Sequence, residues 1–370
     1  MRSVKRKTVS AESRKRPRPL GLPNEQPPKE TTLKLEFHGS DPLLWDFDLP
    51  LRGTYFPMGF PLEIATNSPA VLLAAQESWG KFQKIYSTPP LHLRLGVLPG
   101  SSPECPPEPA CRGQRNLITL VADAENYVVS DTREGFAFGW LTEAAAQKSV
   151  YFRYHFLEGT VWILLECLYL TSVHAACVSL EGRGVLLCGD EGAGKSSLSY
   201  ACARNGWAFL ADDSTMLLRK SPGRVVIGNP YQMRFRESAT ELFPELNTQS
   251  RSERLSGELA IELETATVPG IVTTSECMID YLVFLNRYHP GPEGLFRFPK
   301  EQAQPWLEQV ARYGEQQLRD EHVVALRRLA AAEVFEMRYT KIDTALGLLE
   351  GLVREVPASA HPRLFTAGKR

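Results

Sequence analysis

Apolar and polar residues alternate with a period of two through much of the first third of the chain. The alternation is clearest in residues 33–37 and 91–95, and shorter stretches follow at 116–121, 127–130 and 136–140. Successive side chains of a β-strand point to opposite faces, so a period of two indicates strands with one buried face. The pattern therefore predicts a sheet in this part of the chain.

One helix and one long loop are predicted to interrupt these strands. Ser68 can cap the helix, Pro69 suits its first turn, and Gly80 can end it. Residues 99–113 contain five prolines and two cysteines, a composition typical of a surface loop. Residues 31–141 are thus predicted to form a small α+β N-terminal module, in which we find no catalytic constellation.

The pattern changes after this module. Residues 142–170 are predicted to be helical and to bridge two domains. Residues 171–355 are predicted to form an α/β domain, in which short apolar strands and helices follow one another. Its first two strands are predicted at 173–180 and 185–188, joined by a tight turn. The later elements are a helix at 196–204, strands at 207–211, 225–227, 281–285 and 334–339, and a last amphipathic helix at 342–353.

The two ends of the chain differ in composition from the rest. Residues 1–20 carry eight Lys or Arg, one Glu and almost no apolar residues. Such a segment cannot bury enough apolar surface to offset the entropy lost on ordering, so residues 1–30 are predicted to be a disordered basic tail. A nucleic-acid-binding arm or a nuclear signal is the alternative that its charge leaves open. Residues 356–370 are predicted to be a flexible tail.

Composition and charge narrow the class of protein. With 370 residues, 43% of them hydrophobic and 23% charged, the chain has material for two globular domains plus tails. The net charge of −1 predicts neither a nucleic-acid partner nor a membrane surface. No secretory signal is visible, and the longest apolar run, residues 161–170, is far shorter than the roughly 20 residues of a membrane span. A cytoplasmic location is therefore predicted.

The seven cysteines carry no sign of a metal site. Their number is odd, their spacing is irregular and no CxxC pair occurs, so a zinc site is not expected. Most of them lie in apolar runs, which predicts buried thiols in a reducing compartment.

One stretch of the sequence carries a specific chemical signal. Residues 189–196 match G-x-x-x-x-G-K-[ST], the pattern of a phosphate-binding loop, at every fixed position. Glycines let successive backbone N–H groups point at phosphate oxygens, and the following helix adds partial positive charge at its N-terminus. Lys195 can reach the β- and γ-phosphates of a nucleotide, and the Ser196 hydroxyl can bind Mg²⁺. A glycine-rich turn with a solvated lysine is the alternative, but the predicted strand before and helix after favour the phosphate-binding loop.

The loop predicts which residues bind ATP with its Mg²⁺. They are Gly189, Asp190, Glu191, Gly192, Ala193, Gly194, Lys195, Ser196 and Ser197. A dinucleotide-binding loop of the G-x-G-x-x-G type is excluded, because these three glycines have the wrong spacing.

Two aspartates and a histidine are candidates for chemistry beside the loop. Asp212 and Asp213 follow the strand after the loop helix, and in an open α/β sheet ligands bind beyond the carboxyl ends of the strands. One carboxylate can bind Mg²⁺, and the other can orient or deprotonate an attacking hydroxyl. An Asp-Asp-Ser turn without function is the alternative. His174 lies on the strand before the loop, where a buried, hydrogen-bonded histidine is an equally good interpretation.

Together these residues resemble a known family. The stretches Val173-His174, residues 184–196 and Ala211-Asp212-Asp213 are similar, in order and approximate spacing, to the catalytic domain of bacterial HPr kinase/phosphorylase and its related serine kinases. A looser similarity continues to about residue 354. The resemblance implies a P-loop fold akin to that of ATP-type phosphoenolpyruvate carboxykinase, preceded here by the small α+β module.

The resemblance also implies roles for the candidate residues. Lys195 and Ser196 would bind phosphates and Mg²⁺, Asp213 would be the catalytic base, Asp212 would lie next to the metal, and His174 would lie beside them. The implied activity is ATP- and Mg²⁺-dependent phosphoryl transfer to a serine-type hydroxyl on a protein or peptide, and the implied assembly is a homo-oligomer.

The chain departs from the family pattern at several points. Ser197 stands where the family usually has Glu, and residues 228–236 stand in place of a glycine-rich signature. The N-terminal module also differs from the family's usual regulatory domain. The implied relation is therefore to HPr kinases as a group rather than to HPr as substrate. Arg234 and Arg236 are candidates for binding phosphate charge, with solvated surface arginines as the alternative.

Two alternatives to a protein or peptide kinase stay open at this point. The acceptor can be a small hydroxylated molecule, because the sequence does not show the loops that select it. The chain can also be a nucleotide-binding regulatory module, in which ATP is a ligand and no acceptor chemistry takes place.

Overall fold

A computed structural model describes three stretches of the chain: residues 48–253, 259–309 and 315–355. The described residues belong to one compact unit. Three predicted features lie outside them: the basic tail at 1–30, the alternating residues 33–37 and the C-terminal tail at 356–370. The domain boundaries predicted from the sequence stay predictions.

Seven strands in the first half of the described chain form one sheet. They are β1 (Leu51–Tyr55), β2 (Leu62–Thr66), β3 (Leu91–Leu98), β4 (Ala110–Gln114), β5 (Leu117–Val121), β6 (Tyr127–Asp131) and β7 (Phe136–Thr142). Their order across the sheet is β1-β2-β3-β7-β6-β5-β4. β2, β3 and β7 run parallel, and the other neighbours are antiparallel. The helix α1 (Pro69–Trp79) makes the crossover from β2 to β3 that a parallel pair requires.

Two sequence expectations in this region need correction. The Ser68 side chain makes no capping hydrogen bond, so the first turn of α1 depends on the fixed backbone angle of Pro69 instead. The proline-rich loop also ends earlier than predicted, because β4 already begins at Ala110. This strand is exposed along its length, which is why no hydrophobic alternation marks it.

Helices follow the seven-stranded sheet, as the pattern over residues 142–170 predicts. They are α2 (Glu143–Gln147), α3 (Ser149–Phe152), a π-helical turn at Arg153–Glu158 and α4 (Gly159–Leu168). Phe152, Phe156 and Leu164 are fully buried and pack in one core with the first sheet. The same core includes Met216 and Ile227 from the second half of the chain. Apolar packing is therefore continuous between the two halves.

The described residues of the second half contain twelve strands, four α-helices and three short 3-10 turns. The strands are β8 (Leu170–Leu180), β9 (Arg183–Cys188), β10 (Ala208–Ala211), β11 (Ser214–Leu218), β12 (Val225–Ile227), β13 (Gln232–Arg236), β14 (Ser250–Glu253), β15 (Leu259–Glu264), β16 (Val272–Thr273), β17 (Glu276–Asn286), β18 (Gly294–Arg297) and β19 (Glu333–Arg338). The helices are α5 (Lys195–Arg204), α6 (Lys300–Glu308), α7 (Gln316–Leu329) and α8 (Ile342–Glu355). None of the helices in the described ranges is long and apolar enough to cross a membrane.

Nine of these strands form the main sheet, with β8 and β17 as its longest members. β8 pairs with β11 through its first half and with β10 through its second, while β9 lies along its other edge. β9, β17 and β19 run parallel to one another. β13, β15 and β14 form a separate three-stranded sheet.

Helices cover both faces of the main sheet. Leu198 of α5 and Leu349 of α8 pack on one face, while Leu307 of α6 and Leu326 of α7 pack on the other. Parallel strands covered on both faces are expected to be continuously apolar, as β9 is. The second half is therefore an α/β sandwich of three layers, in agreement with the coarse fold class predicted from the sequence.

The cysteines also lie where the sequence predicts. Four of them are buried: Cys177, Cys188, Cys202 and Cys277. None of the seven forms a disulfide, and Cys105 and Cys111 are exposed.

The buried face of β9 gives a stability prediction. Leu187 is fully buried beneath α5, so Leu187→Ala leaves a cavity and is expected to lower the free energy of unfolding by about 2–5 kcal/mol. Denaturant titration followed by far-ultraviolet circular dichroism measures this loss. Val324→Ala, at a position that is 60% exposed, is the matched control and should change stability by less than about 0.5 kcal/mol. Equal losses in the two variants would contradict the assignment of this core.

Candidate functional site

The glycine-rich loop lies between β9 and α5. Its glycines have positive backbone φ angles, +148° at Gly189, +84° at Gly192 and +99° at Gly194. A β-carbon at Gly194 would come 2.7 Å from the hydroxyl oxygen of Tyr339, so a larger residue is excluded there by contact as well as by backbone angle. The glycines of the sequence pattern are therefore required by the shape of the loop.

Tyr339 is a site residue that the sequence analysis missed. It directly follows β19, is almost fully buried, and donates a hydrogen bond of 3.1 Å to the carbonyl oxygen of Ala193. Burial raises the pKa of its phenol to about 12, so it stays a neutral donor. No local pattern marks Tyr339, and only the pairing of β19 with β17 brings it to the loop.

Lys195 begins α5 and folds back beneath the loop. Its side chain is only 6% exposed. The ammonium donates to the carbonyl oxygens of Gly189 at 2.8 Å and Asp190 at 3.2 Å, and it lies 3.1 Å from Nε2 of His174. Burial lowers the pKa of Lys195, while nearby Asp213 raises it. The three partners satisfy all three N–H donors of the ammonium group.

His174 connects the lysine to Asp213. Its Nδ1 atom lies 3.3 Å from Oδ1 of Asp213, and the same oxygen lies 4.0 Å from the Lys195 ammonium. An ammonium can only donate, so His174 accepts at Nε2 and carries its proton at Nδ1, facing the carboxylate. The imidazole is 46% exposed, which rules out the interpretation of His174 as a buried core residue.

Strand register explains why these distant residues meet. In β8, His174 pairs with Ser214 of β11, which directly follows Asp213. The next residue, Ala175, pairs with Cys188 of β9, which directly precedes the loop. One strand thus brings the histidine, the loop and the aspartate to the same edge of the sheet.

Asp212 lies in a different environment from its neighbour. Its Oδ2 atom accepts a hydrogen bond of 2.7 Å from the backbone N–H of Arg234 on β13. Burial raises the pKa of this carboxyl group to about 6, although the Arg234 N–H opposes the shift. Asp213, in contrast, is 58% exposed. The two carboxylates therefore differ in solvation, hydrogen bonding and partner.

The two candidate arginines both form ion pairs. Arg234 lies 3.1 Å from Glu262 of β15, and Arg236 contacts Glu191 of the loop. Both arginine side chains are about half exposed, so these are surface pairs of modest energy. Arg236 is nevertheless close enough to the loop to contact what binds there.

Among the described residues, the predicted Mg²⁺ ligands Ser196 and Asp212 do not belong to a preformed cluster of metal-binding side chains. Ser196 and Ser197 are half-buried in the first turn of α5. Across the described ranges, no group of three or more His, Cys, Asp or Glu residues is arranged to hold a metal ion. Mg²⁺ commonly takes one or two protein ligands and completes its shell with waters and phosphate oxygens, so Ser196 and a carboxylate fit such a site. Ser196 and Asp212 stay predicted ligands.

The geometry of the second half defines a class of protein. The second half of the chain is an α/β protein with a glycine-rich loop that enters a helix at the carboxyl end of a strand, with a lysine, a histidine and an aspartate in contact beside it.

Comparison with known proteins agrees with this class over a short segment. A stretch of 53 residues is 40% identical to HPr kinase/phosphorylase from Bordetella pertussis, and equally to the same protein from Bordetella parapertussis and Bordetella bronchiseptica. The match covers 14% of this chain and 17% of each relative, so it spans less than a fifth of their length. No protein-family model matches the chain.

Among solved structures, the chain matches the Hpr(Ser) kinase/phosphatase from Coxiella burnetii. The match covers 50% of this chain and 94% of that protein, at 14% sequence identity and a TM-score of 0.28. Similarity of this degree adds nothing to the description of the fold given above.

The raised pKa of Asp212 predicts a pH dependence of stability. The folded state binds this proton more tightly than the unfolded chain, whose carboxyl has its ordinary pKa of 3.8. Stability contributed by Asp212 is therefore greatest at low pH and is lost as pH rises from about 4 to 6. Asp212→Asn should remove this loss, so the variant should gain stability relative to wild type across that interval.

Urea unfolding of both proteins between pH 3.5 and about 8 tests this expectation. The difference between the two curves isolates Asp212 from other groups, such as Glu166, whose pKa burial also raises. A difference that is flat with pH, or one that falls, would contradict the environment described for Asp212.

Proposed function

We propose that this chain is an ATP- and Mg²⁺-dependent kinase related to the HPr kinases, and that it phosphorylates a serine-type hydroxyl on a protein or peptide. The observation that carries the proposal is the contact of Lys195, His174 and Asp213 at the mouth of the glycine-rich loop. A lysine that only stabilised the loop would not need to contact a histidine and an exposed carboxylate.

The loop is suited to hold phosphates. The first turn of any α-helix has backbone N–H groups without partners inside the helix, and α5 begins directly at the loop. Gly192 has no atom within 4 Å of where a β-carbon would lie, so there is open space beside the loop at that point. In this proposal residues 189–197 bind the phosphates, and Ser196 and Asp212 bind Mg²⁺.

Lys195 has two tasks in the proposed reaction. Its contacts with the loop carbonyls keep the loop closed, and its charge stabilises negative charge on the transferring group. Because burial lowers the pKa of this ammonium, a phosphate oxygen that replaced one of its three partners would favour the protonated form. Bound ATP supplies the phosphoryl group, and Mg²⁺ offsets the charge on its phosphates.

Asp213 acts as the base in this proposal. The carboxylate accepts the proton of the acceptor hydroxyl as that oxygen attacks. Nδ1 of His174 faces Oδ1 of Asp213 at 3.3 Å, which orients the carboxylate and leaves the other oxygen for the acceptor. His174 is thus a positioning residue for the base.

The remaining parts of the proposal depend on the relatives. The matched relatives are kinases of HPr by name, and for this chain we propose only the broader acceptor class, a protein or peptide. A cytoplasmic location and a homo-oligomeric assembly belong to the same proposal. Residues 228–236 form β13 and its approach rather than a glycine-rich segment, so HPr itself is not proposed as the acceptor.

Phosphoryl transfer is tested with γ-labelled ATP, Mg²⁺ and a lysate from the source organism. Wild-type protein should label an acceptor. Asp213→Asn should lower the labelling rate by about 10²–10⁴-fold through loss of the base, and Lys195→Ala by about 10²-fold or more. ATP binding, measured by calorimetry, should weaken strongly in Lys195→Ala and little in Asp213→Asn.

The matched controls are Lys84→Ala and Asp48→Asn, which change the same charges at exposed positions outside the site. Both should label the acceptor at the wild-type rate. Full activity of Asp213→Asn would refute the mechanism. ATP binding without any labelling would favour the nucleotide-binding regulatory module, and label found only on small metabolites would favour a kinase of small hydroxylated molecules.

A further inference from the structure

A narrow groove lies beside the loop, on the face of the sheet that α6 covers. Its volume is about 140 Å³. One side is formed by His174, Asp190 and Glu191, and the other by Trp306, Leu307 and Gln309. Trp306 is held edge-to-face against Phe284, with 5.1 Å between the ring centroids. The wall formed by α6 is therefore ordered by packing against the main sheet.

The groove is continuous with the proposed catalytic residues. His174 lines it, and the same imidazole contacts Asp213. Asp190 and Glu191 are loop residues, so the groove also adjoins the proposed phosphate site. A hydroxyl carried into the groove would lie close to both the base and the transferring group.

The charge of the groove is negative. Among the described residues that line it there is no lysine or arginine, whereas Asp190 and Glu191 are both present. Two cations are close by: Lys195 is buried beneath the loop, and Arg236 contacts Glu191. Within the described ranges, Asp190 forms no ion pair and its side chain is exposed. Trp306 adds an aromatic ring, the surface that cations prefer among apolar groups.

The size of the groove limits its occupant. Sites for small metabolites and cofactors commonly enclose about 300–1,000 Å³, which is well above the volume here. A groove of this size holds one or two side chains of a longer ligand whose remainder stays outside. A peptide segment or a protein loop fits this description better than a free small molecule.

We propose that this groove binds the acceptor as a peptide segment in which Lys or Arg lies next to the phosphorylated serine or threonine. The basic side chain lies against Trp306 and between Asp190 and Glu191, and the hydroxyl faces Asp213. This inference rests on the proposed kinase function and specifies its acceptor class.

In the proposed transfer, one bond to phosphorus forms as another breaks. The acceptor oxygen forms a bond to the γ-phosphorus of a nucleoside triphosphate, and the bond from that phosphorus to the β–γ bridging oxygen breaks. The nucleoside diphosphate leaves, and the hydroxyl proton passes to the Asp213 carboxylate.

Three pools of serine peptides test the proposal on the full-length protein. The pools are identical except that the residues flanking serine are Arg, Gln or Glu. With γ-labelled ATP and Mg²⁺, kcat/KM should be at least about tenfold higher for the Arg pool than for the Gln pool, and lowest for the Glu pool. Free L-serine is included as a small acceptor and should not be labelled.

Two variants connect this preference to the groove. Gln309→Lys places a positive charge at an exposed lining position, and Trp306→Leu removes the aromatic ring. Each should lower the Arg-to-Glu labelling ratio by about fivefold or more, and Trp306→Phe should restore most of it. Because each ratio is measured within one protein sample, a uniformly less stable variant would leave it unchanged.

The outcomes separate this proposal from the kinase proposal itself. Equal labelling of the three pools, or preference for Glu, would overturn the basic-peptide inference and leave the kinase standing. Label only on L-serine would overturn both the basic-peptide inference and the protein or peptide acceptor of the kinase proposal. If no acceptor is labelled although ATP binds, the kinase proposal fails, and fluorescence anisotropy of the same peptides decides on the groove. Binding of the Arg peptide that weakens in Gln309→Lys would support a basic-peptide site, and equal binding of all three peptides would overturn it.

Discussion

The placement of one ammonium group organises the candidate site. An almost fully buried lysine is costly unless its donors are satisfied, and Lys195 meets that requirement with two loop carbonyls and one imidazole nitrogen. The same three bonds hold the loop and fix the tautomer of His174, whose Nδ1–H then faces Asp213. Loop shape, histidine tautomer and aspartate orientation thus follow from a single desolvated charge.

Much of the main fold was predictable because the parallel strands are buried on both faces. The apolar runs that became β9, β17 and β19 are visible in the sequence, and so is the amphipathic face of α8. β4 was not predicted, because it is exposed along its length. β13 and β14 were not predicted either, although Met233 and Phe235 of β13 are buried and alternate with more exposed residues, because each strand is only four or five residues long. Hydrophobic periodicity detects burial, and strands without a buried face leave little of that signal.

The candidate site likewise contains residues that the sequence predicts and residues that it does not. The loop motif specifies its own shape through glycine, and the aspartate pair follows a recognisable strand, so these residues were predictable. The different environments of Asp212 and Asp213 were not, since the Arg234 N–H that binds Asp212 lies on a strand 22 positions away. Tyr339 and Trp306 reach the loop only through the assembled main sheet and its helices. Their positions are properties of topology rather than of any local pattern.

The hydrogen bond from Tyr339 to the loop has a consequence for biosynthesis. The tyrosine lies 146 positions after Ala193, at the end of the strand that pairs with β17. When the glycine-rich loop and α5 have left the ribosome, Tyr339 has not yet been translated. The loop therefore lacks one of its contacts at that stage. The loop gains this contact only after β19 has been translated and has joined the sheet, so the site is completed late in synthesis although its motif is made early.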